Sequence, residues 1–284
     1  MRSLLAWLWS SAGALGLSIT ACSGPAPTMP AHPAPEGMIS VPAGSFTRDG
    51  RTVRVAGFHL DRAPVTVADF DRHASERGLT TVASREGGGV FSLARGTFSI
   101  VAGADHRTPL GDGVAALPDH PSTQVTAAEA EGYCAARDAR LPTSDEWEHA
   151  ARNGRGDASR YPWGDGAADE RGAWRANAWQ GAFPTLNTMA DGYLFASPVG
   201  SFPATPLGFL DLVGNVWHWT ATPWDGSTAS SPALPEVAAS ARVLRGGSFL
   251  CDPRVCHGFQ IAAAQPGDPA SPLMHVGFRC ARDE

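Results

Sequence analysis

Glycine and proline interrupt this chain so often that few stretches can sustain a long regular element: 32 Gly and 23 Pro fall among 284 residues. Glycine eases tight turns and proline removes a backbone donor, so such dense punctuation favours short elements joined by loops. Nine tryptophans imply that aromatic packing holds the loops together. A helical bundle does not suit this pattern, and a few helices beside a small, irregular sheet imply an α+β domain.

Local patterns agree. Residues 38–46 and 53–60 read as short strands around a polar turn. Residues 66–77 read as a helix capped by Thr66, with Val67, Phe70 and Ala74 on one face. A second helix is predicted over 126–137, where Thr126 and Glu129 have capping-box spacing. A third covers 144–152, with Thr143 or Ser144 as its cap. Residues 84–121 form a long Gly-rich excursion, strand-like at 90–93. From Asn153 onward the chain reads mostly as loop, with short strands near Val199, at 243–245 and at 276–280.

The first residues bear on compartment. Met1-Arg2 is a short basic start, residues 4–19 are apolar, and Ile19-Thr-Ala-Cys22 follows. Residues 1–21 therefore read as a secretory signal rather than a membrane anchor. Cysteine directly after Thr-Ala resembles a bacterial lipobox, which makes Cys22 a candidate lipidation site; ordinary cleavage, leaving a soluble periplasmic protein, is the alternative. Residues 22–36 are rich in Pro and Ala and suit an extended tether. Residues 37–284 then form one domain long enough to bury a sizeable core.

Every basic residue is Arg, and the formal net charge is −6. Nucleic-acid binding needs a clustered basic face, so it is not expected. The absence of lysine excludes a Schiff-base lysine and a P-loop. Contact with a membrane is expected only through an N-terminal lipid.

The chemistry-bearing feature is Cys251 and Cys256, five residues apart and just past Gly246-Gly247. Two such thiols can converge on one soft metal ion, do redox chemistry, or close a short disulfide.

Five segments extend the argument: Leu141-Pro-Thr-Ser-Asp-Glu-Trp-Glu-His-Ala-Ala-Arg152, Tyr161-Pro-Trp-Gly-Asp165, Leu212-Val-Gly-Asn-Val-Trp-His-Trp-Thr220, Arg245-Gly-Gly-Ser-Phe249 and Val276-Gly-Phe-Arg-Cys280. In this order they resemble the formylglycine-generating-enzyme, or sulfatase-modifying-factor, family across about residues 37–284. The resemblance implies a C-type-lectin-like α+β fold with little regular secondary structure. It implies that Cys251 and Cys256 are the active-site pair, binding Cu(I) when reduced, with Ser248 and Trp219 lining their pocket. Residues 106–112 loosely resemble the family's substrate groove, and Arg279 falls at a structural position.

The same resemblance implies a disulfide between Cys134 and Cys280. It also implies a calcium site formed by the Asn177 and Asp191 side chains with the Ala178 and Tyr193 carbonyls, oxygen donors that suit Ca2+. A second family cation site would use Asn215 and a carboxylate, where this chain has His218.

Around the thiols the chain departs from the converting enzymes, with Asp252-Pro-Arg-Val between them and His257-Gly-Phe-Gln260 after. An aspartate beside a thiol raises its pKa. His257, His275, Asp252 and Gln260 are the candidate acid or base groups near in sequence, with His257 foremost. An exported member resembles those that act in the periplasm on a peptide siderophore. The leading expectation is thus an oxidase-type oxidoreductase tailoring a peptide-derived metabolite, in particular a dihydropyoverdine precursor. One alternative is copper- and O2-dependent conversion of a protein cysteine to formylglycine, the step that activates sulfatases. Another is a non-catalytic lectin-like binding module whose cysteines are locked as a disulfide.

Overall fold

Threonine opens every helix among the described residues, which are 34–156, 158–226, 240–252, 256 and 258–284 of a computed structural model. Thr66, Thr81, Thr126 and Thr143 have extended backbone, and each hydroxyl accepts from the N–H three residues on. That bond satisfies a donor which the first helical turn leaves free. The caps start α1 (Val67–Glu76), α2 (Val82–Glu86), α3 (Ala127–Ala135) and α4 (Ser144–Ala151). At α3 and α4, Glu129 and Glu146 bond back to the cap N–H and complete capping boxes, so Thr143 rather than Ser144 caps α4.

The strands are short. Before α1 come β1 (Met38–Val41), β2 (Gly44–Arg48), β3 (Arg51–Val55) and β4 (Phe58–Asp61). The glycine-rich excursion holds β5 (Gly88–Ser92) and β6 (Thr97–Val101). After α4 come β7 (Gly181–Ala182), β8 (Leu186–Asn187), β9 (Trp217–Pro223), β10 (Arg242–Arg245), β11 (Ala264–Gly267), β12 (Val276–Gly277) and β13 (Ala281–Asp283). One sheet has the order β1-β4-β13, and a second has the order β11-β10-β9-β12, with β12 parallel to β9. The pairs β2–β3, β5–β6 and β7–β8 stand as two-stranded sheets. No strand forms at Val199; its N–H donates instead to the Asp119 carbonyl. No helix among the described residues is long and apolar enough to cross a membrane.

Pairing of β13 with β4 fastens the end of the chain to its first sheet. Just before β13, Cys280 is joined to Cys134 of α3, with Cα atoms 5.5 Å apart, as the resemblance implied. The core behind β9 and β10 contains Trp147, Trp217, Trp219, Phe259 and Phe278, all essentially inaccessible. Arg279 is buried as well, donating to the carbonyls of Asp61 (3.0 Å), Leu210 (2.9 Å) and Asp211 (2.8 Å). It ties two segments of backbone, at Asp61 and at 210–211, to its own, a structural role. A smaller apolar cluster of Phe91, Trp179, Phe249, Leu250 and Met274 packs β5 against the loop after β10.

Candidate active site

Two glycines shape the loop that leaves β10. Gly246 and Gly247 have φ of +99° and +71°. A Cβ on Gly247 would come within 2.4 Å of the Phe259 nitrogen, and one on Gly246 within 2.9 Å of the Leu212 carbonyl. Only glycine fits both the backbone angle and the space. The turn carries Ser248 to Cys251 into the interior, where the Cys251 N–H donates to the Ser248 carbonyl at 2.9 Å. The Ser248 N–H in turn donates to Cys251 Sγ at 3.4 Å. The Cys256 N–H donates to the Asp252 carbonyl at 2.7 Å, which brings the second thiol back over the first.

The two sulfurs stand 3.1 Å apart and are unbridged. A disulfide bond is about 2.05 Å long, so this is a thiol–thiol contact. Burial pushes the Cys251 thiol well up, and Cys256 beside it adds to the effect. Cys256 is drawn down, chiefly by the hydrogen bond from Cys251 and with help from the Gly258 backbone. Its own burial and the charge of Asp252 oppose that shift. Asp252 therefore acts in the direction read from the sequence and is outweighed. Cys256 is the sulfur that ionises first, with the Cys251 S–H as its donor.

Both thiols line a cavity of about 250 Å3. Phe91, Phe98, Phe183, Trp217 and Leu250 give it apolar walls, and Ser248, Gln265 and His275 add polar groups. A Cβ on Gly258 would lie 2.5 Å from the Trp217 ring and 2.8 Å from Cys251 Sγ, so the bare glycine lets ring and sulfur approach. Phe259 beside it stacks on Tyr161 at 5.2 Å between ring centres, and Tyr161 on Trp163 at 5.6 Å. The Tyr-Pro-Trp-Gly segment thus props the loop that returns from the thiols. His275 stacks on Phe98 at 5.1 Å. Burial pushes its pKa down to about 4, and its Nδ1 has no hydrogen-bond partner.

Sequence reasoning places some of these residues and misplaces others. Ser248 is in the cavity, but Trp219 is not. Trp219 pairs with Leu244 across β9–β10, its ring faces Gly267, and its indole N–H donates to the Val125 carbonyl at 2.9 Å. Trp217, two residues earlier beside β12, takes the wall position instead. Gln265 rather than Gln260 lines the cavity, and His275 joins it. His257 and Cys22 lie outside the described residues. From residues 106–112, Pro109 and Leu110 line a separate apolar cavity of about 180 Å3 with Phe249 and Met274, while His106 turns inward to Asp71 at 3.1 Å. A larger cavity of about 860 Å3, lined by α1 and α3 side chains, contains no cysteine. Its Arg72 and Arg137 are paired with Asp69 and Asp61, so thiol chemistry belongs to the smaller one.

A profile of the sulfatase-modifying factor enzyme 1-like domain matches residues 25–284. The chain belongs to the sulfatase-modifying factor family. A formylglycine-generating enzyme of Thermomonospora curvata is 37% identical to this family member, with 87% of this chain and 94% of that one aligned. The inactive C-alpha-formylglycine-generating enzyme 2 of Bos taurus is 34% identical over 86% and 87% of the two chains. Among solved structures, PvdO from Pseudomonas aeruginosa shares the fold with a TM-score of 0.63 at 24% identity, covering 87% of this chain and 94% of that one. Membership establishes the mixed α/β family fold. With active and inactive relatives at similar identity, the site residues of this member carry the case for activity.

The donor set fits Cu(I). Two soft sulfurs already face each other in an apolar cavity, with the Cys256 thiol drawn below its ordinary pKa, and thiolates select Cu(I) over hard ions. Three of the four residues expected to hold calcium meet at Asp191. Asp191 accepts from the N–H groups of Ala178 (3.1 Å) and Tyr193 (3.0 Å), and Asn177 Oδ1 is buried without a partner. The Ala178 carbonyl accepts from Gln180 but keeps a second lone pair. An unpaired buried amide oxygen, one residue from a backbone N–H that holds Asp191, fits a hard cation. At the second family position His218 Nδ1 accepts from Trp147 Nε1 at 3.2 Å, which gives that imidazole a packing role.

Proposed function

We propose that the protein is a copper-dependent oxidase that converts a cysteine of a polypeptide to formylglycine. The unbridged thiol pair lining an aromatic cavity is the observation that supports this most directly. An oxidoreductase reading also agrees with the oxidative activity named for its relative at 37% identity. Cu(I) held by Cys251 and Cys256 would supply O2 activation and a docking point for the substrate sulfur. In balance, the substrate carbon loses its sulfur as hydrogen sulfide and gains one oxygen as an aldehyde. The second oxygen leaves as water, with two protons and with two electrons from a thiol reductant.

The chain's own groups divide the remaining work. Ser248 N–H fixes Cys251, and the contact with Cys251 favours ionisation of Cys256. Phe91, Phe98, Phe183 and Trp217 keep water from the reacting carbon. Neutral His275 offers an unpaired Nδ1 to a polar group of the substrate. Calcium at Asn177, Ala178, Asp191 and Tyr193 would brace the loop that carries Trp179 and Phe183, whose rings meet edge to face at 5.2 Å. The signal-like first 21 residues place the enzyme in the periplasm in this reading, with Cys22 as a lipid anchor.

That export signal favours one second reading: oxidation of a dihydropyoverdine precursor in the same cavity. The test is a thiol count on the purified protein with and without Cu(I), followed by an aerobic assay on a synthetic peptide spanning a sulfatase active-site cysteine. Two free thiols that copper protects, and an aldehyde in the peptide, are expected. Cys251→Ser and Cys256→Ser should each abolish both. Oxidation of dihydropyoverdine with no peptide conversion would move the assignment to the second reading. Absence of free thiols would sink the copper site.

A further inference from the structure

The hairpin of β5 and β6 forms part of the cavity, and one of its edges is open. In the register, Gly88 faces Val101, Gly89 faces Ile100, Val90 faces Ser99, Phe91 faces Phe98 and Ser92 faces Thr97. The Gly89 N–H donates to the Pro272 carbonyl (2.9 Å), and its own carbonyl accepts from Met274 N–H (3.0 Å). Gly89 therefore turns its backbone groups away from β6. Bonded and non-bonded pairs alternate along an antiparallel ladder, so Val101, Ser99 and Thr97 bond to β5. Phe98 and Ile100 turn their N–H and C=O groups to the outer side. The 272–274 segment occupies the far edge of β5 through the parallel Gly89–Leu273 bridge. Among the described residues no strand pairs with the outer edge of β6.

That edge carries apolar side chains beside the thiols. Phe98 and Ile100 lie on one face of the strand, 44% and 66% exposed, and Phe98 itself lines the cavity with Cys251 and Cys256. The segment Thr97-Phe-Ser-Ile-Val101 has no charge and no proline, the usual devices that keep an edge from pairing. A row of backbone donors and acceptors recognises an extended polypeptide above other ligands.

We propose that β6 receives the substrate polypeptide as a third strand of this hairpin, with the reacting cysteine opposite Phe98. The proposal rests on the peptide-cysteine reading above. An added strand lies about 4.8 Å from its neighbour, and paired residues project to the same face. A side chain opposite Phe98 thus enters the cavity. The substrate residue opposite Ile100, two positions from the cysteine, meets an apolar contact, while the residue between them faces away. Substrate preference should therefore alternate along the peptide.

The test uses the full-length protein and the sulfatase peptide above, with single backbone N-methyl groups placed along it. N-methylation at alternate positions should raise KM about tenfold, the scale of a lost hydrogen bond with its desolvation, while the positions between leave it unchanged. The same alternation should appear in binding of the peptide whose cysteine is replaced by serine. Ile100→Pro removes one outward N–H at a place where an edge tolerates proline. It should raise KM to a similar degree, with thiol count and Cu(I) uptake unchanged and Ile100→Ala as the side-chain control. Normal turnover with a flat N-methyl profile would overturn strand addition and leave the formylglycine reading intact. A peptide that binds with alternation yet is never oxidised would do the reverse. Self-association that Ile100→Pro abolishes would assign the edge to a second copy of the chain and also overturn the proposal.

Discussion

His275 carries a proton less readily in the folded protein than outside it. In an unfolded chain it titrates near 6.5, whereas burial against Phe98 brings it to about 4. Between these values the unfolded chain binds the extra proton. Stability is therefore lost as pH falls through that window, by about 3 kcal/mol once both forms are protonated. His275→Phe keeps a ring on Phe98 and removes the titration. Urea midpoints measured from pH 7 to pH 4 should fall less steeply for this variant than for the parent, and equal slopes would refute the assignment. Single residues were legible in the sequence where chemistry marked them, as with Cys251 and Cys256, whereas Ser248 came only from the family resemblance. Trp217 and Trp219 were not distinguishable, because residues two apart on a strand share a face. In the fold Trp217 lines the cavity, whereas the Trp219 ring lies against Gly267.

At the scale of elements, α4 and β10 are joined by a buried charge cluster. Arg245 is inaccessible and donates to Glu148 (2.7 Å) and to Ser144 Oγ (2.8 Å). Arg152 and Arg48 also reach Glu148, each at 2.7 Å. Burial opposes the charge on Glu148, but Arg245, Arg48 and Arg152 together hold its carboxyl below the usual range. Burial likewise lowers Arg245 to about 10. Glu148→Gln leaves a buried guanidinium without its counter-charge and should destabilise the fold by about 3–5 kcal/mol in urea unfolding. A loss below about 1 kcal/mol would show that solvent or Asp145 replaces the carboxylate. The starts of α1, α3 and α4 were readable, since spacing such as that of Thr126 and Glu129 states its own hydrogen bonds, whereas the five-residue α2 was not expected. β9 was not, since Trp217 to Thr220 are buried on both faces and show no alternation. Of the β5–β6 hairpin only the stretch around Val90 stood out, because Gly88 and Gly89 dilute the pattern of β5.

For the molecule as a whole, the Cys134–Cys280 bond spans 146 positions and ties α3 to the last strand. Replacing both cysteines by alanine should cost about 4–5 kcal/mol in the chain-entropy treatment, read as a lowered urea midpoint with the cavity thiols still countable. Four cysteines in this domain allow three complete pairings. Closing the short loop from Cys251 to Cys256 is easier than closing the native one by about 3 kcal/mol of chain entropy. An oxidant meeting the unfolded chain therefore tends to join the sulfurs that must stay apart. The fold sorts them afterwards by access: Cys134 and Cys280 are sealed in the core, whereas Cys256 is only partly covered. A mild external thiol can reach a bond at Cys256 without reaching Cys134–Cys280, so under the copper reading maturation would be a selective reduction as much as an oxidation.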